Sequence, residues 1–167
     1  MDLKVPAQNK LKKIFGIGPT GAIISLFLLA AFIWVDSKVK LPILENHAVF
    51  LKTLGIVFVG LGVGLHFWSF FTLRNWWVDN QLCTKGPFKY FRHPMYAAWI
   101  TFICSGIALY LNSWFYLFWV FLLHLIWHKL VKNEEIIMIN TFGEKYKEYA
   151  RRTGRFFPKG LNFSIKE

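Results

Sequence analysis

The chain has 167 residues, of which 55% are hydrophobic and 19% aromatic against 17% charged, with a mean hydropathy of +0.38. A water-soluble domain of this length has too little polar surface to cover so much apolar area, which excludes that class and points to lipid. The net charge of +11 arises from 20 Lys and Arg against 9 Asp and Glu. These basic residues flank apolar runs rather than fill a binding module, so the counter-charge expected is anionic lipid headgroups and not nucleic acid.

In chain order, Lys10, Lys12 and Lys13 precede Ile14–Val35, an uncharged run of 22 residues. That run exceeds a typical signal-peptide core and has no clear small-x-small cleavage site at its end, so a retained membrane helix is expected. Thr53–Leu73, uncharged for 21 residues, is the second predicted span. Within it Gly60-Leu-Gly62-Val-Gly64 has no strand before it and is read as a close helix-packing face rather than a dinucleotide loop. His66, in the same run, is expected to be hydrogen-bonded packing. Met95–Trp127 then runs for 33 residues without Asp, Glu, Lys or Arg, too long for one straight span. Asn112-Ser113 divides it, with Ser113 a candidate helix N-cap. A tight helical hairpin, 95–111 and 114–131, is therefore predicted.

The expected fold is an all-α integral membrane protein forming a single membrane domain over 1–167. It has about four transmembrane helices (14–35, 53–73, 95–111 and 114–131), the last two a helical hairpin, followed by an amphipathic C-terminal helix. That last helix is read from Phe142, Tyr146 and Tyr149 recurring opposite Glu144, Lys147, Glu148 and Arg151. Basic residues concentrate in three places: Lys4–Lys13, the loop with Arg74, Lys85, Lys89 and Arg92, and the segment from Lys145 to Lys166. The intervening loop balances Lys38 and Lys40 with Asp36 and Glu45. The positive-inside rule then predicts that both termini and the segments 74–94 and 132–160 are cytoplasmic. That orientation would hold in the cell membrane of a prokaryote or the endoplasmic reticulum of a eukaryote. Nothing in the sequence specifies an oligomeric state.

Cys83 and Cys104 have no metal or redox spacing, and no disulfide framework is implied. His124 and His128 share a helical face but lack a third ligand, so no metal is expected.

Two polar segments carry chemistry. Pro94 sets a helix start, which places Arg92 and His93 immediately before its N-terminus. Free N–H groups, the helix dipole and a guanidinium fork favour a carboxylate there, while anchoring to lipid phosphates is the plain alternative. The second segment is Glu134-Glu135 near the end of the fourth apolar run. Two acids oppose the usual preference for cations near a helix C-terminus. Either the helix continues through Ile136–Asn140, or the acids meet a cationic ligand or an arginine from the tail.

The stretch Lys85-Gly-Pro-Phe-Lys-Tyr-Phe-Arg-His-Pro-Met-Tyr96, then Glu134-Glu135, then Phe142-Gly-Glu-Lys-Tyr-Lys-Glu-Tyr149 and Arg155-Phe-Phe-Pro158 resembles the isoprenylcysteine carboxyl methyltransferase family, within a wider group of membrane phospholipid methyltransferases. The resemblance covers about half the chain. It implies S-adenosyl-L-methionine as cofactor and methyl transfer in the membrane to a carboxylate, or other nucleophile, of a lipophilic or amphipathic acceptor. Carried onto this sequence, it implies cofactor contacts from Lys85, Gly86, Pro87, Tyr90, Arg92, His93, Pro94, Tyr96, Glu134, Glu135, Tyr146 and Tyr149. Arg92, Glu135 and Arg155 are the implied catalytic set, and Pro158 belongs to the closing segment. Ala97-Ala98 departs from the family pattern, in which a glycine is common. A nicotinamide-dependent sterol-type reductase, whose C-terminal half is similar, and a non-enzymatic membrane adaptor are the alternative readings.

Overall fold

A computed structural model describes residues 16–39, 47–74 and 81–159. The basic N-terminal segment, Lys40 and Glu45, Trp76 and Trp77, and residues 160–167 lie outside the described residues. Among the described residues, four helices are long and apolar enough to cross a membrane: α1 (Gly18–Val39), α2 (Ala48–Arg74), α3 (Pro94–Leu111) and α4 (Trp114–Phe142). A short α5 (Glu144–Arg152) follows. This is the expected all-α membrane architecture.

The helices pack in the order α1, α4, α3, α2. Most of the outward surface of α1 and α2 is large and apolar, with Phe27 74% and Val49 82% exposed. In lipid such side chains cost nothing, because the surrounding tails are as apolar as they are. Between α3 and α4 the packing is dense, with Ile100, Cys104, Trp119, Leu123, Trp127 and Val131 almost fully enclosed. Phe32 of α1 stacks on Phe115 of α4 at 4.4 Å between ring centroids. Two polar contacts reinforce this pairing: Trp127 Nε1–H donates to Ser25 Oγ at 3.0 Å, and the Tyr116 hydroxyl to Asp36 Oδ2 at 2.8 Å.

Backbones touch where α2 crosses α3. A Cβ on Gly55 would stand 2.5 Å from the Gly106 carbonyl oxygen, and one on Gly62 would stand 2.9 Å from that of Ala98. The buried small residues of α2 are Gly55, Gly62 and Ser69, each seven positions from the next. The expected Gly60–Gly64 packing face is thus corrected. Gly62 belongs to the seam, but Gly60 and Gly64 point away from it, with open space where a side chain would stand. A helix turns about 100° per residue, so alternate glycines cannot share one seam. His66, expected to be hydrogen-bonded packing, instead lies on an exposed face of α2, edge-on to Phe67.

The α3–α4 hairpin closes as its sequence suggests. Asn112 adopts the left-handed conformation (φ 57°) that ends α3, and Ser113 Oγ accepts from the Phe115 N–H at 3.4 Å to begin α4. Residues 98–103 of α3 form a π-helical segment.

The fourth helix runs past the 114–131 span to Phe142, the continuation through Ile136–Asn140 that was one of the two readings of Glu134-Glu135, so the first part of the 132–160 segment is helical. At about 1.5 Å per residue its 29 residues reach about 43 Å, beyond a hydrocarbon core of about 30 Å. The end bearing Glu134 and Glu135 therefore projects past the apolar zone. Phe142 closes α4 rather than sharing a helix with Tyr146 and Tyr149, because Gly143 (φ 57°) breaks the chain direction between them.

Candidate functional site

The loop before α3 is shaped by a 3-10 turn at Gly86–Lys89 with Pro87 in its first positions. Gly86 has φ 54°, and a Cβ there would approach Thr72 Oγ1 of α2 to 2.9 Å. The turn thus lies against the polar end of α2, with Pro87 and Phe88 buried. Beyond it, Phe91 and Gly154 form a short parallel bridge. The Arg92 N–H donates to the Gly154 carbonyl at 2.7 Å, and the His93 N–H to that of Arg155 at 3.2 Å. The Tyr149 hydroxyl adds a second tie, donating to the carbonyls of Phe88 (2.6 Å) and Phe91 (3.2 Å). Loop and tail are thereby held as one unit, although about 60 residues separate them.

That unit encloses the end of α4. Arg92 Nε–H donates to Glu135 Oε1 at 2.8 Å, while Arg92 Nη1 donates to the carbonyls of Ala150 (2.9 Å) and Thr153. Arg155 Nε–H reaches the same Oε1 at 3.1 Å, its Nη2 meets Oε2, and its Nη1 donates to the His128 carbonyl at 3.3 Å. Glu135 is thus clasped by two guanidinium groups, with side-chain exposures of 12% for Glu135, 11% for Arg92 and 20% for Arg155. Paired cations on a carboxylate favour its ionised form and make it a poor proton acceptor. The cluster is better suited to holding charge in place than to general-base work.

Glu134 is turned elsewhere. Its Oε1 accepts from the Tyr96 hydroxyl and from the Ile17 N–H at the start of α1, both at 2.9 Å. The His93 ring joins the two acids, with Nδ1 3.6 Å from Glu134 Oε2 and Nε2 3.5 Å from Glu135 Oε1. It lies parallel to the Tyr96 ring, 5.5 Å between centroids. Tyr146 projects from α5 and is only 2% exposed. Burial, then the negative charge of Glu135, pushes its phenol well above the usual range, so it is a neutral donor at physiological pH.

Two buried polar atoms here lack a well-formed hydrogen bond, His93 Nε2 and Tyr146 Oη. Buried donors are rarely left so unless a ligand or water completes them. An S-adenosylmethionine group, with a carboxylate, an ammonium and ribose hydroxyls, fits this set chemically: arginine, imidazole and phenol donors beside two carboxylates.

Of the residues singled out in the sequence, Arg92, His93, Tyr96, Glu134, Glu135 and Arg155 converge here, with Tyr146 adjoining. Pro94 opens α3 and is buried, and Tyr149 fastens the loop. Lys85, Gly86 and Pro87 belong to the turn packed on α2, and Tyr90 at its end is 40% exposed. Ala97 and Ala98, the departure from the family pattern, are completely buried. Arg92 was expected to offer its fork to a ligand carboxylate, but its Nε and Nη1 are engaged with Glu135 and two carbonyls of the 150–153 stretch. Sequence reasoning missed Gly16, Ile17 and Gly154. The last has no room for a side chain, as a Cβ would stand 1.6 Å from the Phe157 carbonyl oxygen.

Four apolar helices with a carboxylate–arginine cluster at their polar end define a polytopic membrane protein with a largely buried polar cluster. The sequence profile of the phospholipid methyltransferase family matches residues 50–145, more than half of the chain, and the chain belongs to that family. It is similar to the protein-S-isoprenylcysteine O-methyltransferase of Homo sapiens, at 28% identity over 160 residues covering 83% of this chain and 50% of the relative. The Xenopus laevis protein of the same name is 27% identical over 157 residues, covering 80% and 51%. That of Dictyostelium discoideum is 30% identical over 78 residues, covering 44% and 31%. The chain spans about half the length of the first two. No solved structure matches the chain.

Proposed function

We propose that the chain is an S-adenosylmethionine-dependent membrane methyltransferase acting on a carboxylate of a lipophilic acceptor, an isoprenylated cysteine being the acceptor suggested by the names of its relatives. The observation that carries this reading is the clasp itself. Arg92, Glu135 and Arg155, with His93 and Tyr146 beside them, meet only because loop, α4 end and tail fold together. Family membership supplies the reaction class.

When bound, the cofactor supplies a methyl group on a sulfonium, so transfer forms a C–O bond to the acceptor as the C–S bond breaks and leaves a neutral thioether. A carboxylate acceptor carries no proton to remove at neutral pH, which accords with a Glu135 unsuited to base work. The contribution of the chain is then positioning and exclusion of water. His93 and Tyr146 would orient cofactor polar groups, Glu134 would face its ammonium, and the Arg155 N–H groups not spent on Glu135 and the His128 carbonyl would attract the acceptor carboxylate. The placement of basic residues supports a cytoplasmic site with both termini on that side. Apolar, lipid-exposed helix faces around the polar end suit an acceptor that arrives from the bilayer.

Calorimetric titration of the detergent-solubilised protein with S-adenosylhomocysteine and, separately, with NADPH tests this reading. Saturable binding of the first and none of the second is expected. NADPH binding alone, or neither, would remove the methyltransferase assignment.

A further inference from the structure

The start of α1 lies outside residues 50–145, the part of the chain that the family profile covers, yet it reaches into the polar cluster. Gly16 has φ 50°, and a Cβ on it would stand 1.9 Å from Glu134 Oε1 and 2.7 Å from the Tyr96 hydroxyl. Neither the backbone conformation nor the space admits another residue without moving Glu134. The next residue donates its N–H to that same oxygen. Gly18 lies against the Tyr96 ring, where a Cβ would come to 3.2 Å of Cε1. Gly21 sits on Trp127, where a Cβ would approach Cζ2 to 2.4 Å. Three glycines in six positions thus let the entry to α1 and its first turn lie close against α3 and α4.

The consequence for Glu134 is directional. Oε1 is taken up by two donors, Ile17 N–H and Tyr96 O–H, at 2.9 Å each. Oε2 is left on the side of His93, facing the cluster. We propose that Gly16 and Ile17 are positioning residues, fixing Glu134 so that Oε2 is presented to the ammonium group of the methyl donor. This rests on the methyl-transfer reading. Neighbouring residues on a helix point about 100° apart, so the two acids divide the work: α1 orients Glu134, while the two arginines hold Glu135.

A double-mutant cycle of Gly16→Ala with Glu134→Ala tests it, read as S-adenosylhomocysteine affinity and melting temperature of the full chain in detergent. Gly16→Ala is expected to weaken S-adenosylhomocysteine about tenfold, the loss typical of a misaligned hydrogen bond to a charged group, while KM for the acceptor stays within twofold. In the Glu134→Ala background the same change should alter affinity less than twofold, because the group it displaces is gone. Its melting-temperature loss should at least halve, the remainder reflecting the left-handed backbone at residue 16. Gly21→Ala is the structural control, lowering the melting temperature equally in both backgrounds. Equal effects of Gly16→Ala in both backgrounds would overturn the proposal. If the unaltered protein binds no S-adenosylhomocysteine, the methyltransferase reading fails, and the melting-temperature cycle still decides whether Gly16 acts through Glu134.

Discussion

Replacing Glu135 by Gln keeps the size of the side chain but removes the charge that two guanidinium groups share. In the folded protein Arg92 and Arg155 would then face each other across a neutral amide whose NH2 cannot accept from either. Breaking a buried ion pair by removing one partner costs about 3–5 kcal/mol. Here the three side chains retain 11–20% exposure, and Arg92 and Arg155 keep their contacts to the carbonyls of Ala150, Thr153 and His128. A loss at or below the bottom of that range, about 2–3 kcal/mol, follows. For a chain of this size that corresponds to a fall in melting temperature of about 5–10 °C. The clasp also holds the loop to the tail, so methyl transfer should fall about a hundredfold or more, the cost of disordering a positioned site. The assay is thermal unfolding in detergent, with turnover measured on the same preparation. Unchanged melting temperature with unchanged turnover would refute the view that Glu135 organises the site.

Other predictions concern separate parts of the structure. Tyr149→Phe removes the hydroxyl that ties Phe88 and Phe91 to α5; about 1–2 kcal/mol is at stake, and hydrogen exchange over residues 86–93 should quicken while that of α3 does not. Gly55→Ala should cost about 1–3 kcal/mol by overpacking against the Gly106 carbonyl, whereas Gly60→Ala, with open space before it, should leave the melting temperature unchanged; equal effects would contradict the assigned α2–α3 seam. Burial raises the Cys83 thiol above its ordinary value, so it is neutral in the folded protein at physiological pH. Its contribution to stability is complete below the unfolded thiol range and fades as pH rises toward the folded value. Cys83 is only 6% exposed, so maleimide at pH 7 should label it only after denaturation, as read by mass spectrometry.

How much was legible in the sequence follows from the range of the interactions involved. The α3–α4 hairpin could be read because its signals are local: Asn112 can take a left-handed turn and Ser113 can cap the next helix, whatever else the chain does. The Arg92, Glu134-Glu135 and Arg155 segments were recognised by order and spacing, and an arginine from the tail was among the expected partners of the acids; which acid it meets, and that Arg92 joins it there, was not legible. Adjacent acids on a helix point in different directions, so a pair in sequence became two separate contacts in space. The end of α4 was left open between residue 131 and a continuation through Asn140, because hydropathy falls after Val131 while helical hydrogen bonding carries on past the apolar zone. Gly60 and Gly64 looked like a packing face because glycine composition alone does not say which side of the helix meets a neighbour. The contact of Ile17 with Glu134 spans 117 residues, and no local pattern near Gly16 announces it.

The activity proposed for the clasped cluster is methyl transfer from S-adenosylmethionine. Its most direct test supplies S-adenosylmethionine with a radiolabelled methyl group and an S-farnesylated cysteine bearing a free carboxylate to the purified protein in lipid vesicles. Label is expected in a base-labile methyl ester, lost when Arg155 is replaced by Ala and when the acceptor carboxylate is blocked beforehand. Absence of label from the unaltered protein with S-farnesylated cysteine, or equal labelling by Arg155→Ala, would contradict it.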